Sequence, residues 1–218
     1  GLTTAQIERL SSAQLNALSA TQLNAMSSAQ LRAIETADVA ALTTAQVVKF
    51  DTSAISELST AQIVAMGSAQ FAALTAAQLK ALSTAQLVVI DTVDVAALTT
   101  AQIAALSSSA VAALTDTSTG QVAALTSAQA AALSSAAVSG LSTAQIARLS
   151  SAQLNALSAT QLNAMSSAQL RAIETADVAA LTTAQIAALS SSAVAALTDT
   201  STGQVAALTS AQIGRAHV

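Results

Sequence analysis

The sequence predicts an all-α solenoid made of short capped helices, one in each eight-residue repeat. Three observations carry this: an apolar period of eight, a capping signature in nearly every unit, and charges placed at the helix ends that favour them.

The apolar period comes first. Leu2, Leu10, Leu18, Met26, Ile34, Leu42, Phe50, Leu58, Met66, Leu74 and Leu82 recur every eight residues. A second series follows five residues behind: Ile7, Leu15, Leu23, Leu31, Val39, Val47, Ile55, Ile63, Phe71, Leu79 and Leu87. One continuous helix cannot use this period, because eight residues advance it about 800° and the apolar stripe would drift roughly 80° per repeat. A strand fails as well. Positions five apart point to opposite faces of a sheet, and Ala, Gln and Leu are not a β-rich set.

Each unit must therefore break, and the break is written in the residues. In Leu58-Ser59-Thr60-Ala61-Gln62-Ile63, Ser59 at the N-cap and Gln62 three residues later read as a capping box. Leu58 and Ile63 read as the matching hydrophobic staple. The charges agree with this register. Glu35, Asp51, Asp91 and Glu174 take the cap position, and Asp38, Asp94 and Asp177 replace the box glutamine. Arg9, Arg32, Lys49, Lys80, Arg148 and Arg171 fall in the last two positions of their units, where the helix dipole favours a cation. Helices this short do not hold alone; isolated helices below about 12 residues are marginal in water. Stability has to come from stacking neighbours, which is the logic of a solenoid. Two octads per turn, a sixteen-residue coil, is the expected closure.

The array is expected to run over residues 1–212. Two of its units are eleven residues long, at 115–125 and 198–208, and local bulges are expected there. Long copies lie within it: residues 141–185 repeat 2–46 with very few changes, and 181–212 repeat 98–129 without a difference. The identity stops after Gln212. The tail Ile213-Gly214-Arg215-Ala216-His217-Val218 resembles a translated sequencing adapter, so 213–218 is expected to be adapter-derived and the chain to be a metagenomic fragment of a longer reading frame. Neither end carries a polar capping repeat, and end-to-end self-association through uncapped ends is the expected consequence.

Composition excludes several classes. A net charge of -4 with few, scattered Lys and Arg is no footprint for nucleic acid. Ser, Thr or Gln interrupts every apolar run, so no membrane span is expected. There is no cysteine for a disulfide or thiolate site, and no leader segment is visible after Gly1. His217 is the one histidine and belongs to the tail, which leaves no Ser/His/Asp or Cys/His nucleophile and no His/Cys metal cluster. The expectation is a protein that is not an enzyme, with no catalytic, cofactor-binding or metal residues and no cofactor.

The acid pairs Glu35/Asp38, Asp91/Asp94 and Glu174/Asp177 are the best candidates for chemistry, since carboxylates three apart can share calcium or work as an acid/base pair. They occupy the two capping-box positions, and capping is the reading preferred here. The inserts around Asp116 and Asp199 lack calcium-loop spacing. Met26, Met66, Met165, Phe50 and Phe71 fill Leu or Ile slots and are expected in the core. Asn16, Asn24, Arg32 and Lys80 hold a variable position expected to form an exposed, solvated ridge.

Units such as Ala-Leu-Thr-Thr-Ala-Gln-Ile-Ala-Ala-Leu (97–106) resemble the Leu-Thr-Thr-Ala-Gln arrays of very large repetitive bacterial proteins, some of them surface or secreted adhesins. The resemblance covers 2–212. It implies a structural spacer or scaffold segment at the cell surface or secreted, although no calcium-binding Gly-Gly-x-Gly-x-Asp nonapeptide occurs. Two other readings stand beside it. The rows that include Thr3/Thr4, Thr43/Thr44 and Thr99/Thr100 suggest a solenoid that binds ice or a polysaccharide, and any such array also suits a generic protein-interaction repeat. Disordered low complexity is disfavoured, because such chains seldom carry so regular an apolar series.

Overall fold

The computed structural model describes residues 2–214. Among these the chain forms 25 helices and no strand, from α1 (Thr4–Ile7) to α25 (Ser210–Ile213). It is an all-α solenoid of short capped helices, divided into two units, Gly1–Ala105 and Leu106–Val218.

Every helix is four to six residues long, and α8 (Thr60–Ala65) shows why. Ser59 is extended at φ -70, ψ 159, and its hydroxyl accepts the Gln62 N–H at 3.2 Å. The Gln62 Oε1 in turn accepts the Ser59 N–H at 2.8 Å. Two orphan amides of the first turn are thereby satisfied. At the other end Met66 swings back to extended geometry, φ -70, ψ 147. Two consecutive extended residues, the large apolar one and the next cap, turn the chain into the following helix. No described residue has positive φ, so this turn needs no glycine and can be repeated with Ser, Thr or Asp at the cap.

In the first unit α8 packs on α5 (Thr36–Ala40), while α9 (Ser68–Ala73) packs on α6 (Thr44–Val47) and α12 (Thr92–Ala97). Likewise α10 (Ala76–Ala81) lies between α7 (Thr52–Ser56) and α13 (Thr100–Ala105). In the second unit α17 (Ser135–Gly140) packs on α14 (Ser108–Ala112), and α19 (Ser151–Ala156) on α16 (Ser127–Ala132). Partners are three helices apart in each case. Three octads, not two, complete one turn, and the sixteen-residue coil is corrected accordingly. The apolar pattern names the face each helix buries but not the angle to the next helix. That angle is set by the two extended residues between helices.

Both apolar series point inward. Ile63, Phe71, Leu79, Ile146, Leu154 and Leu162 are fully buried, and Leu58, Met66, Leu74, Leu82, Met165 and Phe50 nearly so. Each such side chain contributes on the order of 1.5–3 kcal/mol by leaving water. Met26 sits at the open edge of the first unit and is only half-buried. Gly140 allows a close approach within the second unit: a Cβ there would lie 2.8 Å from the Ser108 Cβ.

The eleven-residue units keep the box and loop out three extra residues. Thr115 Oγ1 accepts the Gln121 N–H at 2.8 Å, and Gln121 Oε1 accepts the Thr115 N–H at 3.1 Å, across six residues instead of three. Thr198 and Gln204 repeat this at 2.8 and 3.2 Å. Gly120 and Gly203 close each loop, and a Cβ on either would come within 2.8 and 2.7 Å of the Thr115 and Thr198 carbonyl oxygens.

Candidate functional site

The group that repeats with the most chemistry is the box glutamine. Its oxygen caps its own helix, and its amide nitrogen reaches the preceding coil. Gln62 Nε2 donates at 2.8 Å to the carbonyls of both Leu31 and Ile34, at the C-terminal end of α4 (Ser28–Arg32). Gln70 does so to Val39 and Leu42, Gln78 to Val47 and Phe50, and Gln102 to Phe71 and Leu74. In the second unit Gln145, Gln153, Gln169 and Gln185 form the same ladder. One side chain thus satisfies a helix start and a different helix end, the two places where short helices leave backbone groups unpaired. These glutamines are buried, and no buried side-chain polar atom among the described residues lacks a partner. The capping signature pointed to the first half of this role. The second half depends on which residues the coil brings beneath, and no local spacing encodes that.

The acid pairs do not behave as boxes. Glu35 and Glu174 stand at N-caps and make no side-chain cap bond. Asp91 does cap α12, accepting the Val93 N–H at 2.9 Å. Asp38, Asp94 and Asp177 occupy the glutamine position, where a carboxylate has no proton for the carbonyls of the coil before. Each instead accepts a serine hydroxyl from three helices back. Ser12 donates to Asp38 and Ser68 to Asp94, both at 2.5 Å, and Ser151 donates to Asp177. Asp38 and Asp94 are 8% and 9% exposed. No group of three or more His, Cys, Asp or Glu among the described residues is arranged to hold a metal. Asp51 has a different setting. It accepts the Ala54 N–H at 2.8 Å and the Ser53 hydroxyl at 2.7 Å, and these bonds hold its carboxyl below the usual carboxylate range.

The variable ridge lies at the surface, with Asn16 and Asn24 half-buried and Arg32 exposed, but it is not idle. Asn24 Nδ2 donates to the Lys49 carbonyl at 2.9 Å while its Oδ1 accepts the Asp51 N–H at 2.9 Å. Asn16 ties to Ala41 and Thr43, and Asn163 to Ala188 and Ser190, in the same way. Arg32 bonds the Glu57 carbonyl at 3.1 Å and its carboxylate at 2.9 Å. These side chains strap the C-terminal ends of helices to the next coil, which corrects the expectation of a merely solvated row. Lys80 is exposed.

In the threonine pairs the first hydroxyl is committed to its own helix: Thr3 accepts the Gln6 N–H, Thr43 donates to Gln46 at 2.6 Å, and Thr99 donates to Gln102 at 2.9 Å. The second members, Thr4, Thr44 and Thr100, are exposed. His217 lies outside the described residues, as do the tail positions 215–218 generally. No described helix is long and apolar enough to cross a membrane.

No match was found among curated proteins or among solved structures. The family model of the ALTTAQ repeat, however, matches residues 21–52, 31–68, 49–76, 87–117, 131–159 and 170–200. These stretches take in more than half of the chain and fall on helices of both units. The chain belongs to the ALTTAQ repeat family.

Proposed function

We propose that this chain is a non-enzymatic spacer or scaffold segment of a larger repetitive bacterial protein, surface-exposed or secreted. Membership of a repeat family supports the coarser statement, a repeat-based structural or interaction protein. The observation that carries the finer one is the reach of the ties. The glutamine bonds to another coil described above span only 28 to 34 residues, and the near-verbatim copies 2–46 and 141–185 repeat a tie of similar reach, Ser12 to Asp38 and Ser151 to Asp177. Stacks of this kind depend on nearest neighbours, so they lengthen or shorten by whole units without a new fold. A spacer tolerates that change; an active site assembled from distant residues does not.

In this reading 1–212 is the array and 213–218 is adapter-derived. Sequencing the source DNA outward from the codon for Gln212 tests both. Octads continuing toward an anchor or secretion signal are the expected result. Genomic DNA that encodes Ile213 to Val218, stops, and specifies a short cytoplasmic protein would overturn the reading. The competing ligand-binding reading draws on the exposed Thr4, Thr44 and Thr100; ice-growth inhibition in a thermal-hysteresis assay would promote it.

A further inference from the structure

Neighbouring coils are joined in two different ways. Residues 59–82 in the first unit and 150–173 in the second meet the chain beneath them through glutamine. Gln62, Gln70 and Gln78 donate to the Ile34, Leu42 and Phe50 carbonyls at 2.8, 2.8 and 2.6 Å. Gln153, Gln161 and Gln169 donate to those of Leu125, Leu133 and Leu141 at 2.6, 2.6 and 2.7 Å. All of these bonds are buried.

Residues 35–58 and 174–197 break the ladder. Their box positions hold Asp38, Gln46 and Ala54 in one case and Asp177, Gln185 and Ala193 in the other. Gln185 still reaches the Leu154 and Leu157 carbonyls, at 3.0 and 2.8 Å. The Gln46 side chain bonds only the Thr43 hydroxyl among the described residues. Beneath the Asp and Ala positions, the Leu10, Met26, Leu149 and Met165 carbonyls accept no hydrogen bond from a described residue. Serine–aspartate bonds and straps hold these interfaces instead. Ser12 bonds Asp38, Asn24 bonds Lys49 and Asp51, and Arg32 bonds Glu57 in the first. Ser151 bonds Asp177, Asn163 bonds Ala188 and Ser190, and Arg171 bonds Ala196 in the second. Met26, Ser27, Ser28, Leu31, Ala54 and Glu57 are among the residues lining a recess in the first interface. Met26 stands to Ala54 as Ile34 does to Gln62, so the recess opens in the corner that a box glutamine fills elsewhere.

A strap at the surface exchanges with water, whereas a buried glutamine satisfies carbonyls that water does not reach, so its loss costs more. In a stack whose stability is summed over neighbours, the weaker interface decides where the stack parts. We infer that the two strapped interfaces are seams, at which the array opens as a block while the glutamine-laddered coils beside them stay closed. The residues that make a seam, Ser12, Asn24, Arg32 and Asp38, recur as Ser151, Asn163, Arg171 and Asp177, so each copy of the duplicated stretch brings one. The inference rests on interfaces inside the array, which further octads at either end leave as they are. It goes beyond the scaffold reading, and its failure leaves that reading standing.

Native-state hydrogen exchange by NMR tests it, on the whole chain isotope-labelled in one half at a time so that the copies are not confused. Protection should fall by a step of about tenfold or more from 150–173 to 174–197, and likewise from 35–58 to 11–34. A decline spread evenly from octad to octad overturns the inference, as do steps at the laddered interfaces. Asp177→Gln/Ala193→Gln supplies donors for the Leu149 and Met165 carbonyls. It should raise 174–197 to the protection of 150–173 and leave the step between 11–34 and 35–58 unchanged. A variant that keeps both steps overturns the inference. Should the double variant lose helical circular dichroism, Ala54→Gln, which fills the recess beside Met26, should shrink the first step instead; no change there overturns it equally.

Discussion

Residues 2–46 and 141–185 differ at two positions, Thr3/Ser142 and Glu8/Ala147, and yet they are buried differently. Gln14 is exposed and makes only its own cap, whereas Gln153, the same residue in the other copy, is 2% exposed and also holds the preceding coil. Some of the ties that run forward are shared by both copies. Ser12 to Asp38 matches Ser151 to Asp177, and Asn24 to Lys49 and Asp51 matches Asn163 to Ala188 and Ser190. Glutamine ties run backward and need a coil beneath. The comparison separates what an octad does by itself from what its neighbours supply.

The largest expected effect breaks the pair apart. Gln153→Ala removes a cap acceptor and leaves the buried Leu125 carbonyl without its donor, costing about 2–4 kcal/mol. Gln14→Ala loses only an exposed cap bond, about 0.5–1 kcal/mol. Urea unfolding of the two variants should show that gap; equal losses would mean the ladder is not what holds the coils.

Next come the serine–aspartate ties. Ser12→Ala and Ser151→Ala each leave a carboxylate without its hydroxyl donor and should cost about 1.5–3 kcal/mol, by similar amounts in the two copies. A loss confined to one copy would show that burial, rather than the forward bond, sets the value. Asn24→Ala and Asn163→Ala should be smaller and matched, about 1 kcal/mol each in thermal melts, because these straps are exposed.

The smallest effect lies just beyond the copied stretch, where Asp51 caps α7 and Ser190 occupies the equivalent place at α24 (Ser191–Ala196). The bonds from Ala54 and Ser53 hold the Asp51 carboxyl below its usual range. A depressed folded value means that its contribution is present above the ordinary aspartate value of about 4 and fades as pH falls through the lower, folded one. The protection of the Ala54 amide, taken against its intrinsic exchange rate at each pH, should fall on acidification, whereas that of the Ala193 amide above Ser190 should not. Asp51→Ser should abolish the difference.

Much of this was legible from residues alone. The period of eight, the box of Ser59 with Gln62 and the staple of Leu58 with Ile63 define a helix, its start and its buried face, because capping and side-chain direction act within a few residues of chain. The two long units were visible as interruptions, and their kept boxes follow from the Thr and Gln that flank them. The acid pairs misled in part: Asp91 caps α12 as its position suggests, whereas Glu35 and Glu174 make no cap bond. Two carboxylates in box positions read as caps, but Asp38 answers to Ser12 in another coil. The number of octads per turn, the second hand of each glutamine and the strapping role of Asn24 were decided by tertiary structure alone. Each joins groups 25 to 34 residues apart, through an angle between helices that no eight-residue pattern specifies.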